Sequence, residues 1–227
     1  MDVTTRGGRL SHQSIQGQNE MVSAEQIVEL QDRETRAWHQ KSAKAAEAET
    51  GSDWLGAVSR QHRANIELWH IEDEARAPGA SDAELADVKR RVDRTNQRRN
   101  DLAEQLDRAL LAWLEPKGLP NQAAELNSES PGLMIDRLSI LALKIYHTRE
   151  EAERGGAPAG HAARNLERLK ILEEQRRDLA GCLDALWRET LTGTRRFKLY
   201  RQLKMYNDPS LNPAMYRVPS QAKSSGR

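Results

Sequence analysis

The stretch RNDLAEQLD, residues 99–107, recurs in the same chain as RRDLAGCLD at residues 176–184. The two start positions differ by 77 (176 − 99 = 77), and the same offset places His70 on His147 without a gap. The simplest interpretation is two copies of one helical hairpin, packed into a four-helix bundle with approximate two-fold symmetry. The alternative is chance similarity between amphipathic helices rich in Leu, Ala, Glu and Arg.

Helical signals continue on both sides of this repeat. A capping-box pattern at Ser23 predicts a first helix to about Ala48, and Ser130 followed by Pro131 predicts the start of the fourth helix. We therefore predict an all-α fold, a bundle of two duplicated helical hairpins with an extra N-terminal helix and a C-terminal helix or turn. The predicted organisation is a disordered segment at 1–21, a single helical-bundle domain at 22–216 with hairpin repeats at about 54–115 and 131–191, and a flexible tail at 217–227.

Composition limits the classes of function. The chain has 227 residues, 37% hydrophobic and 30% charged, and a formal net charge of +1, so a general attraction to nucleic acid is not expected. Cys182 is the only cysteine, which suits a reducing compartment. The N-terminus has no apolar signal region, and the longest apolar stretch, LSILALKIY, is too short to span a bilayer. We expect a cytoplasmic protein that does not insert into membranes.

The most informative helix is the second, which contains HRANIELWHIEDEAR at residues 62–76. At 100° per residue, one stripe of this helix carries an imidazole, an amide, an indole, a carboxylate and a guanidinium, from His62, Asn65, Trp69, Asp73 and Arg76. A stripe that faces a core is normally apolar. These polar groups therefore have to satisfy one another or a ligand.

Other helices repeat this feature. The third carries Arg99 within a leucine stripe, with Asn96 at its margin, and the fifth carries Arg176 among leucines. The fourth is apolar nearly all round, so it should be central. Its polar residues Asp136, Lys144 and His147 then have few places outside the core.

Two interpretations of these groups remain open. One is a structural ion-pair network of Asp73 and Asp136 with the arginines. The other is a pocket inside the bundle, where Asp73 with His62 or His70 would exchange protons. In that pocket Arg76, Arg99 and Arg176 would clamp a phosphate or carboxylate. Cations outnumber carboxylates in this set, which favours an anionic ligand.

Four motifs, HRANIELWHIEDEAR, NQRRNDL, IDRLSILALKIYH and KMYNDPSLNP, together resemble a bacterial family known only as a domain of unknown function. The resemblance covers roughly residues 23 to 216. It implies an association with envelope-polysaccharide synthesis, because members are often encoded beside glycosyltransferases. The motif residues that it carries over are His62, Asn65, Trp69, His70, Glu72, Asp73, Arg76, Asn96, Arg99, Asp101, Asp136, Arg137, Lys144, His147, Lys204, Tyr206, Asn207 and Asp208.

Weaker signals concern metals and the C-terminal segment. His70 with Glu74 and His147 with Glu151 have the i,i+4 spacing of metal ligands, but solvated helix-face pairs are the favoured interpretation. We predict neither a metal nor a cofactor. The basic and aromatic stretch RRFKLYRQLKMYND, residues 195–208, fits either a closing amphipathic helix or a surface that binds RNA or a nucleotide.

These observations predict a helical-bundle protein that binds an anionic metabolite, such as a sugar phosphate or nucleotide sugar, in a polar pocket. It could act as an acid/base enzyme in envelope glycan biosynthesis, with Asp73, His62 and His70 as catalytic candidates. The expected ligand-binding residues are Asn65, Trp69, Arg76, Asn96, Arg99, Asp136, Arg137, Lys144, His147, Arg176, Lys204, Tyr206 and Asn207. The alternative is a non-catalytic partner or scaffold of a glycosyltransferase, in which the polar network is purely structural.

Overall fold

The computed structural model describes residues 23–40, 54–203, 205 and 208–213. The segments predicted to be disordered or flexible, 1–21 and 217–227, lie outside these residues. Within them the chain forms five α-helices and a single two-residue strand pair, which confirms the all-α class. The helices are α1 Ala24–His39, α2 Trp54–Glu74, α3 Asp82–Leu114, α4 Pro131–Glu153 and α5 His161–Leu191.

The helices are arranged as two hairpins and one additional helix. α2 packs against α3, and α4 packs against α5, while α1 contacts α2, α4 and α5. α4 contacts all four of the other helices, which agrees with its nearly uniform apolar surface. This central position explains how α4 can present polar side chains to several partners at once.

The helix N-termini show which capping signals act locally. Ser81 and Glu84 form the capping box at the start of α3, and Ser23 accepts a hydrogen bond from the Gln26 backbone N–H at the start of α1. At α4, however, the Ser130 side chain makes no capping hydrogen bond to the helix. Local sequence therefore predicts where all three helices begin, including α4 at Pro131, but at α4 it does not identify the capping side chain.

The start of α4 is capped instead by a carboxylate from α3. Asp107 accepts hydrogen bonds from the Gly132 backbone N–H at 2.7 Å and from the Ser130 hydroxyl at 2.5 Å. A Cβ on Gly132 would lie 2.8 Å from Asp107 Oδ1 and would collide with the Ala103 carbonyl oxygen, so only glycine allows α3 and α4 to approach this closely. The two hairpins are therefore joined at this end by backbone-to-carboxylate contact.

Two short strands join the same end of the bundle. β1 (Glu125–Leu126) follows α3 and pairs in parallel with β2 (Arg195–Arg196), which follows α5. The side chain of Phe197, directly after β2, is 2% exposed and belongs to the main core. Residues 197–203 have no regular secondary structure, so the closing helix expected there does not form. Gly193, with φ of +74°, ends α5 and turns the chain toward this anchor.

The core is formed by leucines and isoleucines from all five helices. Its largest fully buried side chains are Ile27, Ile66, Leu106, Leu110, Leu114, Ile135, Leu138, Leu143, Ile145 and Leu183, together with Phe197 and His62. His62 is the polar exception among these large side chains. None of the helices in the described part of the chain carries an apolar stretch long enough to cross a bilayer.

Candidate functional site

A polar network runs through the core between α1, α2 and α4. His62 lies at its centre, with Nε2 3.0 Å from Thr35 Oγ1 and Nδ1 2.7 Å from Ser139 Oγ. The Thr35 hydroxyl donates to the Gln31 carbonyl oxygen at 2.8 Å, and Asn65 Nδ2 donates to Ser139 Oγ at 2.8 Å. The side chains of all five residues are buried, so these hydrogen bonds replace those that water would provide.

The directions of these hydrogen bonds follow from the chemistry of each group. The Thr35 hydroxyl uses its proton on a carbonyl oxygen, so it must accept from the Nε2–H of His62. His62 Nδ1 then accepts from the Ser139 hydroxyl, whose oxygen accepts from Asn65. His62 is therefore a neutral imidazole with both nitrogens occupied, and burial lowers its pKa from 6.5 to about 3. A group in this state cannot accept or release protons near neutral pH.

Asp136 connects this inner network to the surface. Its Oδ1 accepts from Gln61 Nε2 at 2.6 Å and from Asn65 Nδ2 at 3.0 Å, and it lies 3.4 Å from Arg99 Nε. The alignment with Arg99 Nε does not meet hydrogen-bond geometry, so this pair is held by charge rather than by a directed bond. Two amide donors and the Arg99 guanidinium thus share one carboxylate oxygen, and Arg99 is only partly neutralised by it.

Outside Asp136 a cleft of about 310 Å³ opens between α2, α3 and α4. It is lined by polar groups from Asn65, Glu72, Asp73, Arg76 and Arg99, and by the apolar side chains of Leu68, Trp69, Ile140 and Leu143. Both N–H groups of the Asn65 amide donate hydrogen bonds, one to Ser139 and one to Asp136. Among the described residues its carbonyl oxygen is therefore the amide atom that has no partner. The cleft combines a guanidinium, an amide oxygen and an indole in one small space.

Two further clefts continue from this one along α4. A larger one of about 740 Å³ shares Ile140 with it and is also lined by Arg137 and Lys144. A third, of about 310 Å³, shares Trp69 with the first and Lys144 with the second. The three clefts are therefore neighbours, and each is lined by both cationic and carboxylate side chains. Arg137 is already paired with Glu129 at 2.7 Å.

A second cluster, of histidine and aromatic rings, lies next to Trp69. The indole of Trp69 stacks on His147 with ring centres 5.0 Å apart, and His39 stacks on Tyr146 at 4.4 Å. His70 lies beside His39, with ring centres 5.1 Å apart. α1, α2 and α4 each contribute to this cluster.

The predicted residues do not all meet at one place. The predicted catalytic residues lie in three environments: His62 in the buried network, His70 in the ring cluster, and Asp73 exposed at the cleft. Arg176 lies away from the cleft and donates to Asp32 of α1 at 2.7 Å. Asn96 is half-buried on α3 and is absent from the three linings. Lys204, Tyr206 and Asn207 lie outside the described residues.

Sequence reasoning missed several members of the network, and one of them had a usable signal. Adding the repeat offset to His62 gives Ser139, and these two side chains meet at 2.7 Å across α2 and α4. His70 and His147, related by the same offset, also lie close, with ring centres 6.3 Å apart. Gln31, Thr35 and His39 come from α1, outside the repeat, and no offset could have placed them.

Comparison with known proteins gives a family but no activity. A family model described as a protein of unknown function (DUF4254) matches residues 55–199, a range that contains both hairpins and the β1–β2 pair. No curated protein and no solved structure matches the chain. α1 and its His39 lie outside the matched range.

Proposed function

From the cleft of this chain, which belongs to the DUF4254 family of proteins of unknown function, we propose that the protein binds an anionic metabolite, a sugar phosphate or nucleotide sugar. The observation that carries the proposal is the position of Arg99 in the cleft and its incomplete pairing. Its guanidinium lines the cleft while its only ion pair among the described residues is the shared contact with Asp136. A partly neutralised guanidinium offers the paired N–H donors that phosphates and carboxylates accept.

The rest of the cleft suits a sugar attached to that anion. Trp69 provides a flat apolar wall, which can pack against the C–H face of a sugar ring. The carbonyl oxygen of Asn65, for which the described residues provide no donor, can accept a hydrogen bond from a hydroxyl group. Arg76, at the rim, pairs with Glu72 at 3.5 Å in an exposed contact that is weak enough to be exchanged for a ligand.

The acid/base role falls to Asp73. It lines the cleft, and no ion pair holds its side chain among the residues that the structure covers, whereas Glu72 is paired with Arg76. His62 is assigned a positioning role, because its closed hydrogen bonds orient Ser139 and Asn65 behind the cleft. The proposed reaction class is transfer or elimination in envelope glycan synthesis, in the cytoplasm. This context is supported by the family resemblance and by the presence of a single cysteine.

The experiment is a thermal shift titration with glucose 1-phosphate, UDP-glucose and GDP-mannose, with glucose as the uncharged comparison. A ligand that binds only the folded state raises the melting temperature in a concentration-dependent way. We expect a shift with at least one anionic compound and none with glucose. Arg99→Ala should abolish the shift, while Asp73→Asn should keep binding but remove any turnover of the bound compound.

The matched control is Arg94→Ala, an exposed arginine on the same helix, α3, which lines none of the three clefts. This variant should bind as the wild type does. The proposal fails if no anionic compound stabilises the chain, or if Arg99→Ala and Arg94→Ala bind equally well.

One observation favours a second candidate, a non-catalytic partner of a glycosyltransferase. The hydrogen bonds that run from Gln31 through Thr35, His62 and Ser139 to Asn65 and Asp136 form without any ligand, as expected of a structural network. In that case the basic segment after Phe197 would dock to the enzyme. Truncation after Leu203 leaves Phe197 and both strands in place, so loss of co-purification in this variant, with retention in Arg99→Ala, would favour the partner role.

A further inference from the structure

Three histidines from three helices meet beside the cleft. His39 ends α1, and its ring centre lies 5.1 Å from that of His70 on α2 and 4.8 Å from that of His147 on α4. The His70 and His147 ring centres are 6.3 Å apart. The rings are mutually tilted, by 49°, 81° and 86°, rather than stacked on one another. We refer to these residues as the histidine trio.

All three members share the same unsatisfied atom. The Nε2 atoms of His39, His70 and His147 are buried and have no hydrogen-bond partner among the residues that the structure describes. Buried polar atoms without partners are uncommon in folded proteins, and three on neighbouring rings require an explanation. A single ion or molecule bound to all three Nε2 atoms would provide each of them with a partner.

The other ring nitrogen of two members is already fixed. His39 Nδ1 lies 2.7 Å from the Thr35 carbonyl oxygen, and His147 Nδ1 lies 2.9 Å from a Glu150 carboxylate oxygen. A carbonyl and a carboxylate can only accept, so both Nδ1 atoms carry a proton, and Nε2 is the nitrogen of each ring that can bind a metal. Histidines that bind metals are held in this way, with the second N–H donated to a carbonyl or carboxylate.

We propose that His39, His70 and His147 bind one divalent transition metal ion of the Zn²⁺ class through their Nε2 atoms. In a tetrahedral site with Zn–N bonds of about 2.1 Å, imidazole ring centres lie about 5 Å apart. Two of the three separations already match this value. As the side chains stand, no three His, Cys, Asp or Glu residues in the described ranges form a group that could hold a metal ion, so the trio has to move to bind one. Binding therefore draws His70 and His147 together by about 1 Å.

This ligand set differs from the one suggested by helical spacing. Glu74 is occupied by a two-point contact with Arg91, and Glu151 contacts His161 at 2.8 Å. The i,i+4 carboxylates are thus engaged elsewhere, and His39 takes their place. Three imidazoles leave a fourth position for water or a ligand, as in catalytic zinc sites. Metal binding by the trio requires no anion in the cleft, so this proposal can be tested independently of the proposed function.

The test uses the full chain, stripped with a chelator and titrated with ZnCl₂ in competition with a chromogenic chelator. We expect one equivalent of zinc per chain, with affinity at least about 100-fold weaker in His39→Gln, His70→Gln and His147→Gln. His161→Gln is the matched control, a half-buried histidine that also contacts a carboxylate, and it should bind as the wild type does. Absence of wild-type binding, or equal affinity in all four variants, would overturn the proposal.

A measurement on the wild type covers the case in which a variant does not fold. In chain labelled with ¹⁵N at histidine, zinc should shift the Nε2 resonances of the three trio members and leave those of His62 and His161 in place. A shift at fewer than three of these nitrogens would contradict the trio as the ligand set. Neither measurement depends on a sugar phosphate or on turnover.

Discussion

Replacing Asp107 with asparagine should remove a pH dependence of stability that this carboxyl group creates. Asp107 is 2% exposed and accepts from Ser130 and Gly132 where α4 begins. Burial raises its pKa from 3.8 to about 6, and the two hydrogen bonds offset only part of that effect. The folded chain therefore holds this proton more tightly than the unfolded chain does.

The sign and size of the effect follow from proton linkage. Between about pH 4 and pH 6 the folded state binds more protons at this position than the unfolded state, so the unfolding free energy falls as pH rises. The pKa difference, at about 1.4 kcal/mol per unit, corresponds to about 3 kcal/mol of stability that is present below pH 4 and absent at pH 7. Asparagine keeps an acceptor for Gly132 and an N–H group for Ser130 but has no charge to bury.

The assay is urea unfolding of the wild type and Asp107→Asn at pH 4, 5, 6 and 7. The difference between the two proteins cancels the other titrating groups, and it should change by about 3 kcal/mol across this range, with the variant favoured at pH 7. Asp107→Ala, which removes both hydrogen bonds, should be the less stable variant at every pH. A wild-type to Asp107→Asn difference that is the same at pH 4 and pH 7 would refute the reasoning.

Three other substitutions test the packing and the buried network. Gly132→Ala should destabilise the fold by about 3 kcal/mol in chemical unfolding, because the added Cβ meets the Ala103 carbonyl oxygen and Asp107; unchanged stability would contradict the close contact of α3 with α4. Phe197→Ala should cost about 3 to 5 kcal/mol in the same assay, because it empties the core beyond β2; a cost below about 1 kcal/mol would mean that the segment is not anchored there. His62→Asn should reduce the loss of stability on acidification, because the pKa of His62 is lowered from 6.5 to about 3 and the unfolded chain binds the proton more readily. That variant and the wild type are compared between pH 6.5 and 4, and parallel curves would show that His62 is not held neutral.

The helical class and the central place of α4 could be predicted because both are encoded locally. The spacing of apolar residues predicts helices, and Ser81 with Glu84 predicts where α3 begins. The apolar surface on all sides of α4 predicts that it contacts many other helices. Ser130 and Pro131 predicted the start of α4 correctly as well, but its capping group could not be predicted in this way. Its cap comes from Asp107, and the contact of Asp107 with Ser130 depends on the packing of two hairpins rather than on neighbouring residues.

The site shows the same limit. His62 meets Ser139, which is the position related to it by the repeat offset. Arg176, which the same offset relates to Arg99, was predicted to clamp the same anion, yet it pairs with Asp32 of α1. α1 packs against α2, α4 and α5 and has no counterpart among the described helices, so it breaks the symmetry that sequence comparison assumes. His39 escaped notice for the same reason.

The indole of Trp69 forms part of both the histidine cluster and the cleft that contains Arg99. It lies nearly parallel to the imidazole of His147, at 12°, and also lines the cleft that contains Arg99. The Trp69 ring cannot tilt toward His147 without moving away from the cleft. A ligand that displaces the ring from one side therefore changes the space available to a ligand on the other side. By thermodynamic linkage, a ligand in the cleft must change the free energy of metal binding by the same amount as the metal changes the free energy of ligand binding.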